Sequence, residues 1–234
     1  PAMFACALLL LSMTFGAVLL KQRRAEFRDS IPFKAGIVQP NLSQRRNASA
    51  EKALEALEVC AGLSKSLFLE GKEKPDVVIW PETAVTYSYN AMSEFSSRYR
   101  MEVLSMLLKY QVPFVLGTIF LEQNAVDPAK VDIYNSALLL KPGRGIAGRY
   151  SKEHIVPFGE YVPYSETFPW LAKAAGMGRN LTRGKQFNSL ELAPDVRAGV
   201  SICYEDVYAY VSRNHARNGA NVLLVITNDA WYPD

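Results

Sequence analysis

The segment from Val196 to Thr227, VRAGVSICYEDVYAYVSRNHARNGANVLLVIT, decides the fold class of this chain. Its first part, Val196–Ile202, is a short apolar run that predicts a strand. Glu205–Asn218 predicts a helix that ends at Gly219, and the apolar run Asn221–Thr227 predicts a second strand. Buried strands that alternate with helices are typical of an α/β layered fold.

The same alternation extends toward the N-terminus. Glu51–Leu69 and Glu94–Tyr110 predict helices, the first of which should end at Gly71. A stretch rich in proline, glycine and aromatic residues, Val156–Gly184, predicts a long loop region. The predicted strands are Lys34–Val38, Asp76–Trp80, Pro113–Phe120, Val131–Leu140 and Gly145–Tyr150, with the last two joined at Pro142-Gly143.

An uncharged apolar run, Ala2–Leu20, precedes this α/β pattern. At about 1.5 Å per residue it is long enough to cross the roughly 30 Å hydrocarbon core of a bilayer. A signal peptide carries positive charge before a shorter apolar stretch, whereas here the positive cluster Lys21–Arg24 follows the run. We therefore predict a transmembrane helix over residues 1–20, a linker over 21–31, and a globular domain over 32–234 that is truncated at its C-terminal end.

The composition narrows the class of protein further. The chain has 234 residues, of which 49% are hydrophobic and 21% charged. A domain of this length buries a core without disulfides or metals. The net charge is only +3, and basic and acidic residues are interspersed, so nothing predicts a nucleic-acid-binding face.

Cysteine and histidine usage excludes most metal sites. The chain has two histidines and three cysteines with no C-x-x-C pair, which argues against a zinc site. Cys60 lies on the apolar stripe of a predicted helix, and Cys6 lies inside the apolar N-terminal run. Both are predicted to be small, buried apolar side chains. Cys203 is therefore the cysteine with a candidate chemical role.

Three reactive residue types follow three predicted strands. Glu82 comes after Trp80-Pro81, and Pro81 cannot donate to a strand ladder, so the chain must leave the sheet there. Lys152 follows another strand and precedes the irregular apolar segment Ile155–Pro163, which contains a single carboxylate, Glu160. Cys203 closes a third strand. Each residue alone has an ordinary explanation, as a turn, a surface ion pair or a core side chain.

Cys203 lies where a strand is predicted to turn into a helix. The positive end of a helix favours a thiolate and lowers the pKa of a thiol below its usual value of ~8.5. Backbone N–H groups at such a turn are also free to bind an oxyanion. We therefore predict that Cys203 is a nucleophile.

Several segments of the chain resemble the nitrilase superfamily, whose members use a Glu, Lys and Cys triad in this chain order. Within this superfamily the sequence is similar to that of the bacterial apolipoprotein N-acyltransferase branch, and the resemblance covers about Pro32 to Asp234. YNSALLL (Tyr134–Leu140) is shared more broadly. The segments that carry the resemblance to the branch are WPETAV (Trp80–Val85), YSKEHIVPFGEYVPY (Tyr150–Tyr164), SICYEDVY (Ser201–Tyr208) and TNDAWY (Thr227–Tyr232).

The resemblance implies a four-layer α-β-β-α sandwich that follows a membrane helix. It implies that Glu82 is a general base, that Cys203 attacks an acyl ester of a membrane phospholipid, and that Lys152 stabilises the oxyanion together with the Tyr204 N–H. The acyl chain then passes from a Cys203 thioester to the α-amino group of a diacylglyceryl-modified lipoprotein. Glu160, Tyr204 and Glu205 match supporting or substrate-binding positions. No cofactor and no metal is implied.

The resemblance also implies a location in the bacterial inner membrane, with the catalytic domain facing the periplasm. The cluster Lys21–Arg24 alone would instead place the domain in the cytoplasm. Two other functions stay open. One is an amidase or carbamoyl hydrolase of the soluble type, which does not account for the apolar run Ala2–Leu20. The other is a non-catalytic lipid- or lipoprotein-binding domain on a membrane stalk, which has no use for Glu, Lys and Cys at three strand ends.

The loop from Val156 to Met177 carries a large apolar load. Exposed to water, such a loop would promote aggregation. Its side chains are therefore expected either to pack on the domain's own core or to enter a membrane interface and guide acyl chains toward Cys203. The residues concerned are Phe158, Tyr161, Tyr164, Phe168, Trp170, Leu171 and Met177.

Overall fold

The computed structural model describes residues 2–28, 32–42, 49–165, 167–168, 170–174, 176 and 180–228. The chain divides into two units, Pro1–Phe33 and Lys34–Asp234. The helices are α1 (Ala2–Arg28), α2 (Ala50–Ser66), α3 (Glu94–Tyr110), α4 (Trp170–Ala174) and α5 (Ala209–Arg217). The strands are β1 (Ala35–Ile37), β2 (Val77–Ile79), β3 (Phe114–Gln123), β4 (Val131–Lys141), β5 (Gly145–Ser151), β6 (Leu190–Ala193), β7 (Val196–Ile202) and β8 (Val222–Ile226).

The first unit contains α1, which is long and apolar enough over Ala2–Glu26 to cross a membrane. A signal sequence near an N-terminus meets the same criterion, so the crossing stays a prediction. The helix continues past Leu20 to Arg28, over residues expected to form a linker. Lysine, arginine, alanine and glutamate are good helix formers, and Arg23 also pairs with Glu26 at 2.7 Å. Cys6, expected to be buried, is exposed on α1.

Within the described residues of the second unit, five strands form one sheet in the order β1-β2-β3-β4-β5. β1, β2 and β3 are parallel, whereas β3, β4 and β5 are antiparallel neighbours. Helices α2 and α3 pack on one face of this sheet and enclose an apolar cluster. The members from the helices include Leu57, Cys60, Tyr99, Val103 and Met106, and those from the sheet include Val78, Phe114, Leu116, Leu138 and Leu140.

Helix α2 begins where Ser49 caps it by accepting from the Lys52 N–H, and it ends earlier than predicted. The helix ends at Ser66, and Gly71 lies beyond it in a turn at φ +80°. The last turn tightens, because the Phe68 N–H bonds to the carbonyl three residues before it. The Phe68 ring then stacks on Tyr110, with centroids 4.0 Å apart, at the end of α3.

A second sheet, β6-β7-β8 among the described strands, covers the other face of the first. Leu190 of β6 lies against Gly148 of β5, where an added Cβ would be only 3.2 Å from the leucine. Helix α5 packs on the outer side of β7 so closely that a Cβ on Gly199 would lie 2.4 Å from the Cβ of His215. Helices, sheet, sheet and helix therefore stack as an α-β-β-α sandwich in the described part of the chain, which confirms the predicted fold class.

The helix predicted over Glu205–Asn218 is divided in two. A 3-10 helix occupies Cys203–Val207, and α5 begins only at Ala209. Tyr208 between them is extended, with φ −97° and ψ 100°. The division follows from Glu205, whose carboxylate accepts from the Ile202 N–H at 2.8 Å and so holds a tight turn at the end of β7. Strand β6 was not predicted, because LELA is short and contains a charged residue.

Candidate active site

The segment after β2 runs alongside β3 and places Glu82 in the site. The Trp80 N–H bonds to the Val115 carbonyl at 2.8 Å, and beyond Pro81 the Ala84 N–H bonds to the Gly117 carbonyl at 3.1 Å. A Cβ on Gly117 would lie 2.1 Å from the Pro81 carbonyl oxygen. Only glycine leaves room for the chain to pass here, so Gly117 fixes the position of Glu82.

The Glu82 carboxylate is buried and held at both oxygens. Glu82 is only 6% exposed. Oε1 accepts from Nδ2 of Asn135 at 2.7 Å, and Oε2 accepts from the Asn228 N–H at 3.1 Å. Burial nevertheless raises the pKa of Glu82 above its ordinary value, because the two donors and the nearby Lys152 only partly offset the lost hydration. A carboxylate with a raised pKa is a stronger base.

Lys152 is buried in an ion pair at the end of β5. Its side chain is 1% exposed, and Nζ lies 2.7 Å from Oε1 of Glu160. The ordinary explanation, a solvated surface pair with Glu153, does not hold, since Glu153 pairs with Arg183. The Lys152 carbonyl accepts from the Gly184 N–H at 2.7 Å, and a Cβ on Gly184 would collide with the backbone of Ser151.

Both carboxylate oxygens of Glu160 form contacts that stabilise the loop after Lys152. One oxygen bonds to Lys152, and the other accepts from the Val156 N–H at 2.8 Å. Its own N–H bonds back to the Val156 carbonyl at 2.8 Å, which closes a tight turn in which Phe158 has φ +60°. The carboxylate thus lies at the base of the loop beside Lys152.

Cys203 is the first residue after β7 and has φ +54°, an uncommon conformation for a residue with a side chain. Hydrogen bonding from the Tyr204 N–H and the Thr227 side chain lowers the pKa of its thiol. Burial and the negative charge of Glu82 nevertheless raise the pKa of the Cys203 thiol, while the charge of Lys152 opposes them. The lowering of this pKa expected from a helix end is therefore wrong, because burial and the charge of Glu82 outweigh it and only a 3-10 turn begins here.

Glu205 contacts protein groups rather than open space. It is fully buried, and it joins the end of β5 to the end of β7. This joint fixes the separation of Lys152 and Cys203, which gives Glu205 a positioning role. Its carboxylate accepts from the Tyr150 hydroxyl at 2.8 Å, the Glu153 N–H at 2.7 Å, the His154 N–H at 2.9 Å and the Ile202 N–H at 2.8 Å.

Tyr204 contributes its backbone to the site. Its N–H is a hydrogen-bond partner of the Cys203 thiol. A donor beside an attacking sulfur is close to the carbonyl oxygen on which an oxyanion forms. Its ring is 44% exposed. The residue therefore offers both a backbone donor and an exposed aromatic side chain beside Cys203.

Sequence reasoning missed the polar groups that surround the triad residues. Asn135 contacts two of the site's carboxylates, and Thr227 and Asn228 contact Cys203 and Glu82. A signal was present, because Asn135 is an amide inside the apolar run of β4, and Thr227-Asn228 is a polar pair directly after β8. Among the described residues, no group of three or more His, Cys, Asp or Glu side chains is placed to hold a metal ion.

The fold and the site define the class of this protein. The carbon-nitrogen hydrolase family model matches residues 34–234, and the chain belongs to that family. Solved structures agree at the level of the fold. A carbon-nitrogen hydrolase from Helicobacter pylori G27 has a TM-score of 0.56 at 20% identity, over 83% of this chain and 59% of that one. Nit3 of Saccharomyces cerevisiae, a member of branch 10 of the nitrilase superfamily, has a TM-score of 0.56 at 18% identity, over 83% of this chain and 64% of that one.

Among curated proteins, the chain is similar to enzymes named apolipoprotein N-acyltransferase. The one from Geobacter metallireducens is 31% identical over 202 residues, which are 86% of this chain and 37% of that protein. The one from Chlorobaculum tepidum is 32% identical over 223 residues, 85% of this chain and 40% of that protein. The chain thus spans about two fifths of the length of the relatives it matches.

Proposed function

We propose that this chain is the catalytic part of an acyltransferase that moves a fatty acyl chain from a membrane phospholipid to the N-terminal amine of a diacylglyceryl-modified lipoprotein. The names of its sequence relatives support this, and so does an apolar helix long enough to cross a membrane. The observation that carries the proposal is the buried polar cluster that joins Glu82 to Lys152. The Asn135 side chain contacts both Glu82 and Glu160, and Glu160 pairs with Lys152. Cys203 lies close enough for the charges of Glu82 and Lys152 to act on its thiol.

In the first step, Glu82 takes the proton of the Cys203 thiol, and the sulfur attacks the ester carbonyl of the phospholipid. Nζ of Lys152 and the Tyr204 N–H stabilise the negative oxygen of the tetrahedral intermediate. The C–O bond of the ester then breaks, and the departing lysophospholipid oxygen takes the proton from Glu82. The product is an acyl thioester on Cys203.

In the second step, the α-amino group of the lipoprotein attacks the thioester carbonyl. Glu82 takes a proton from the attacking nitrogen, the same donors stabilise the oxyanion, and the C–S bond breaks. The sulfur leaves and is reprotonated by Glu82. The amide is released and the site returns to its starting state, so no cofactor is required.

The contacts favour Glu82 over Glu160 as the base. Glu160 is neutralised by Lys152 at 2.7 Å and also accepts from the Val156 N–H, so its charge is already matched. Glu82 receives hydrogen bonds from amide groups alone in the contacts given above, and burial raises its pKa. A buried carboxylate with a raised pKa accepts a proton more readily than one that is paired with a cation.

The loop that begins at Val156 supports a lipid substrate. Phe158 is 69% exposed, Tyr164 78% and Trp170 66%, so these rings do not pack on the domain's own core. Exposed aromatic rings on a loop fixed at its base are suited to a lipid interface, where Trp and Tyr are favoured. We therefore assign this loop to the acyl chains. Met177, which the sequence placed in the same loop, lies outside the described residues.

We further propose that the protein resides in the bacterial inner membrane with its catalytic unit facing the periplasm. The helix α1 supports a membrane location by its length and composition. Its flanking cluster Lys21–Arg24 favours the opposite orientation by the positive-inside rule. That cluster is one flank of one helix, whereas orientation depends on all the loops of a membrane protein. A periplasmic protease-accessibility assay on spheroplasts decides the orientation.

Mass analysis of the protein tests the function. After incubation with vesicles of a long-chain phosphatidylethanolamine, the mass of the whole chain should rise by one acyl group, and the adduct should map to Cys203 and disappear with neutral hydroxylamine. A lipopeptide with a free amine should then remove it and become acylated. Rapid turnover of small amides without transfer would indicate a hydrolase, and absence of any adduct or turnover would indicate a binding protein.

A further inference from the structure

Asn135 lies between the two carboxylates of the site. The residue is part of β4 and is 4% exposed. Its backbone carbonyl accepts a hydrogen bond from the Lys152 N–H at 2.8 Å. Its Nδ2 donates to Oε1 of Glu82 at 2.7 Å and lies 3.5 Å from Oε1 of Glu160. One side-chain amide thus reaches two acidic groups that belong to segments far apart in the sequence.

An amide is suited to this place because it is neutral and offers two N–H donors. A hydrogen bond to a carboxylate stabilises its ionised form. Glu160 forms an ion pair with Lys152, whereas the second oxygen of Glu82 accepts a hydrogen bond from the Asn228 backbone N–H. Asn135 is therefore the side-chain donor through which the ionisation of Glu82 can be changed by substitution.

We propose that Asn135 is a positioning residue that keeps Glu82 ionised and aimed as the base, and thereby sets the lower limit of the pH range in which Cys203 reacts. This role rests on the proposed function for its use in acyl transfer, but its effect on the thiol can be measured without a lipid substrate. The ionisable groups that face Glu82 are Lys152, Glu160 and Cys203.

The direction of the effect follows from the contacts. Burial raises the pKa of Glu82, and the Asn135 hydrogen bond lowers it. Without this donor the burial effect is less opposed, so Glu82 keeps its proton to a higher pH and the Glu82–Cys203 pair loses its first proton later. A hydrogen bond to a charged group corresponds to a shift of about one to two pH units.

The test is the rate of alkylation of Cys203 by iodoacetamide as a function of pH, quantified by mass spectrometry of the Cys203 peptide from the whole chain in detergent. In Asn135→Leu, which keeps the size of the side chain, the midpoint of the first rise in rate should move upward by about one to two pH units. The matched control is Asn90→Leu. The Asn90 amide bonds to both backbone groups of Leu121, away from the carboxylates, so its loss should lower thermal stability and leave the midpoint unchanged.

A second variant keeps the proposal falsifiable if Asn135→Leu does not fold. Asn135→Asp has almost the same shape and adds a carboxylate between two others, so it should move the midpoint upward at least as far. A folded Asn135 variant with an unchanged midpoint overturns the proposal. A shifted midpoint in a protein that never acquires an acyl group would keep the role of Asn135 and refute the acyltransferase function instead.

Discussion

Nζ of Lys152 lies 2.7 Å from Oε1 of Glu160, so the buried lysine forms its ion pair with Glu160 and not with Glu82. The ion pair distinguishes Glu160 from Glu82, two glutamates whose roles cannot be distinguished by residue type. Glu160 carries the counter-charge of the lysine, and Glu82 is left with a raised pKa beside the thiol. In the proposed mechanism, Glu160 therefore holds the structure and Glu82 transfers the proton.

Cys203→Ala should abolish both formation of the thioester and transfer to the amine, because no other sulfur lies at the meeting point of Glu82 and Lys152 among the described residues. Acyl incorporation followed by intact mass measures this. Cys60→Ala is the matched control. Cys60 is buried between α2 and α3, and burial raises the pKa of its thiol to about 12, so its loss should leave acylation near normal. Acylation that survived in Cys203→Ala would refute the mechanism.

Glu82→Gln should stop formation of the thioester, since it retains the shape of the side chain and removes its basicity. In the unsubstituted protein, the acylation rate should rise with pH along an acid limb above the ordinary glutamate value of about 4.3, because burial raises the pKa of Glu82. Single-turnover acylation measured across pH checks both points. An acid limb at or below the ordinary value, or normal acylation in Glu82→Gln, would remove Glu82 as the base.

Lys152→Met should lower the acylation rate by about 10²–10³, the usual effect of losing one oxyanion donor. It also leaves Glu160 without its counter-charge, and breaking a buried pair in this way destabilises a protein by about 3–5 kcal/mol. The double variant Lys152→Met with Glu160→Gln separates the two effects. Thermal unfolding should show recovered stability, whereas single-turnover acylation should stay low. Recovery of the rate in the double variant would show that Lys152 acts only through folding.

Replacing Phe168, Trp170 and Leu171 together by Ser should weaken the use of long-chain phospholipid and change the melting temperature little, because Phe168 and Trp170 are at least half exposed. Acylation rates with long-chain and short-chain donors measure the effect. Val162→Ser is the control from the same loop. Its side chain is 3% exposed, so its replacement should lower the melting temperature instead. A large drop in melting temperature in the triple variant, with unchanged lipid use in the folded fraction, would show that the three side chains are core.

The pattern of the sequence determined which segments form the sandwich. Helix α3 begins and ends where the apolar spacing indicated, and β7 has its predicted bounds, because both depend on local periodicity. Bounds that depend on distant contacts were wrong. Helix α2 ends early where Phe68 stacks on Tyr110, and the helix expected from Glu205 is broken because the Glu205 carboxylate turns back to the Ile202 N–H.

For the site, the sequence by itself determined that Glu82, Lys152 and Cys203 follow three strands, since strand ends are marked by local composition. Only the tertiary structure decided their chemistry. The pairing of Lys152 with Glu160, the amide of Asn135 between two carboxylates and the raised pKa of the Cys203 thiol all arise between different segments. Charge pairing and desolvation depend on distance and burial in space, and neither is encoded in the spacing of residues along one strand.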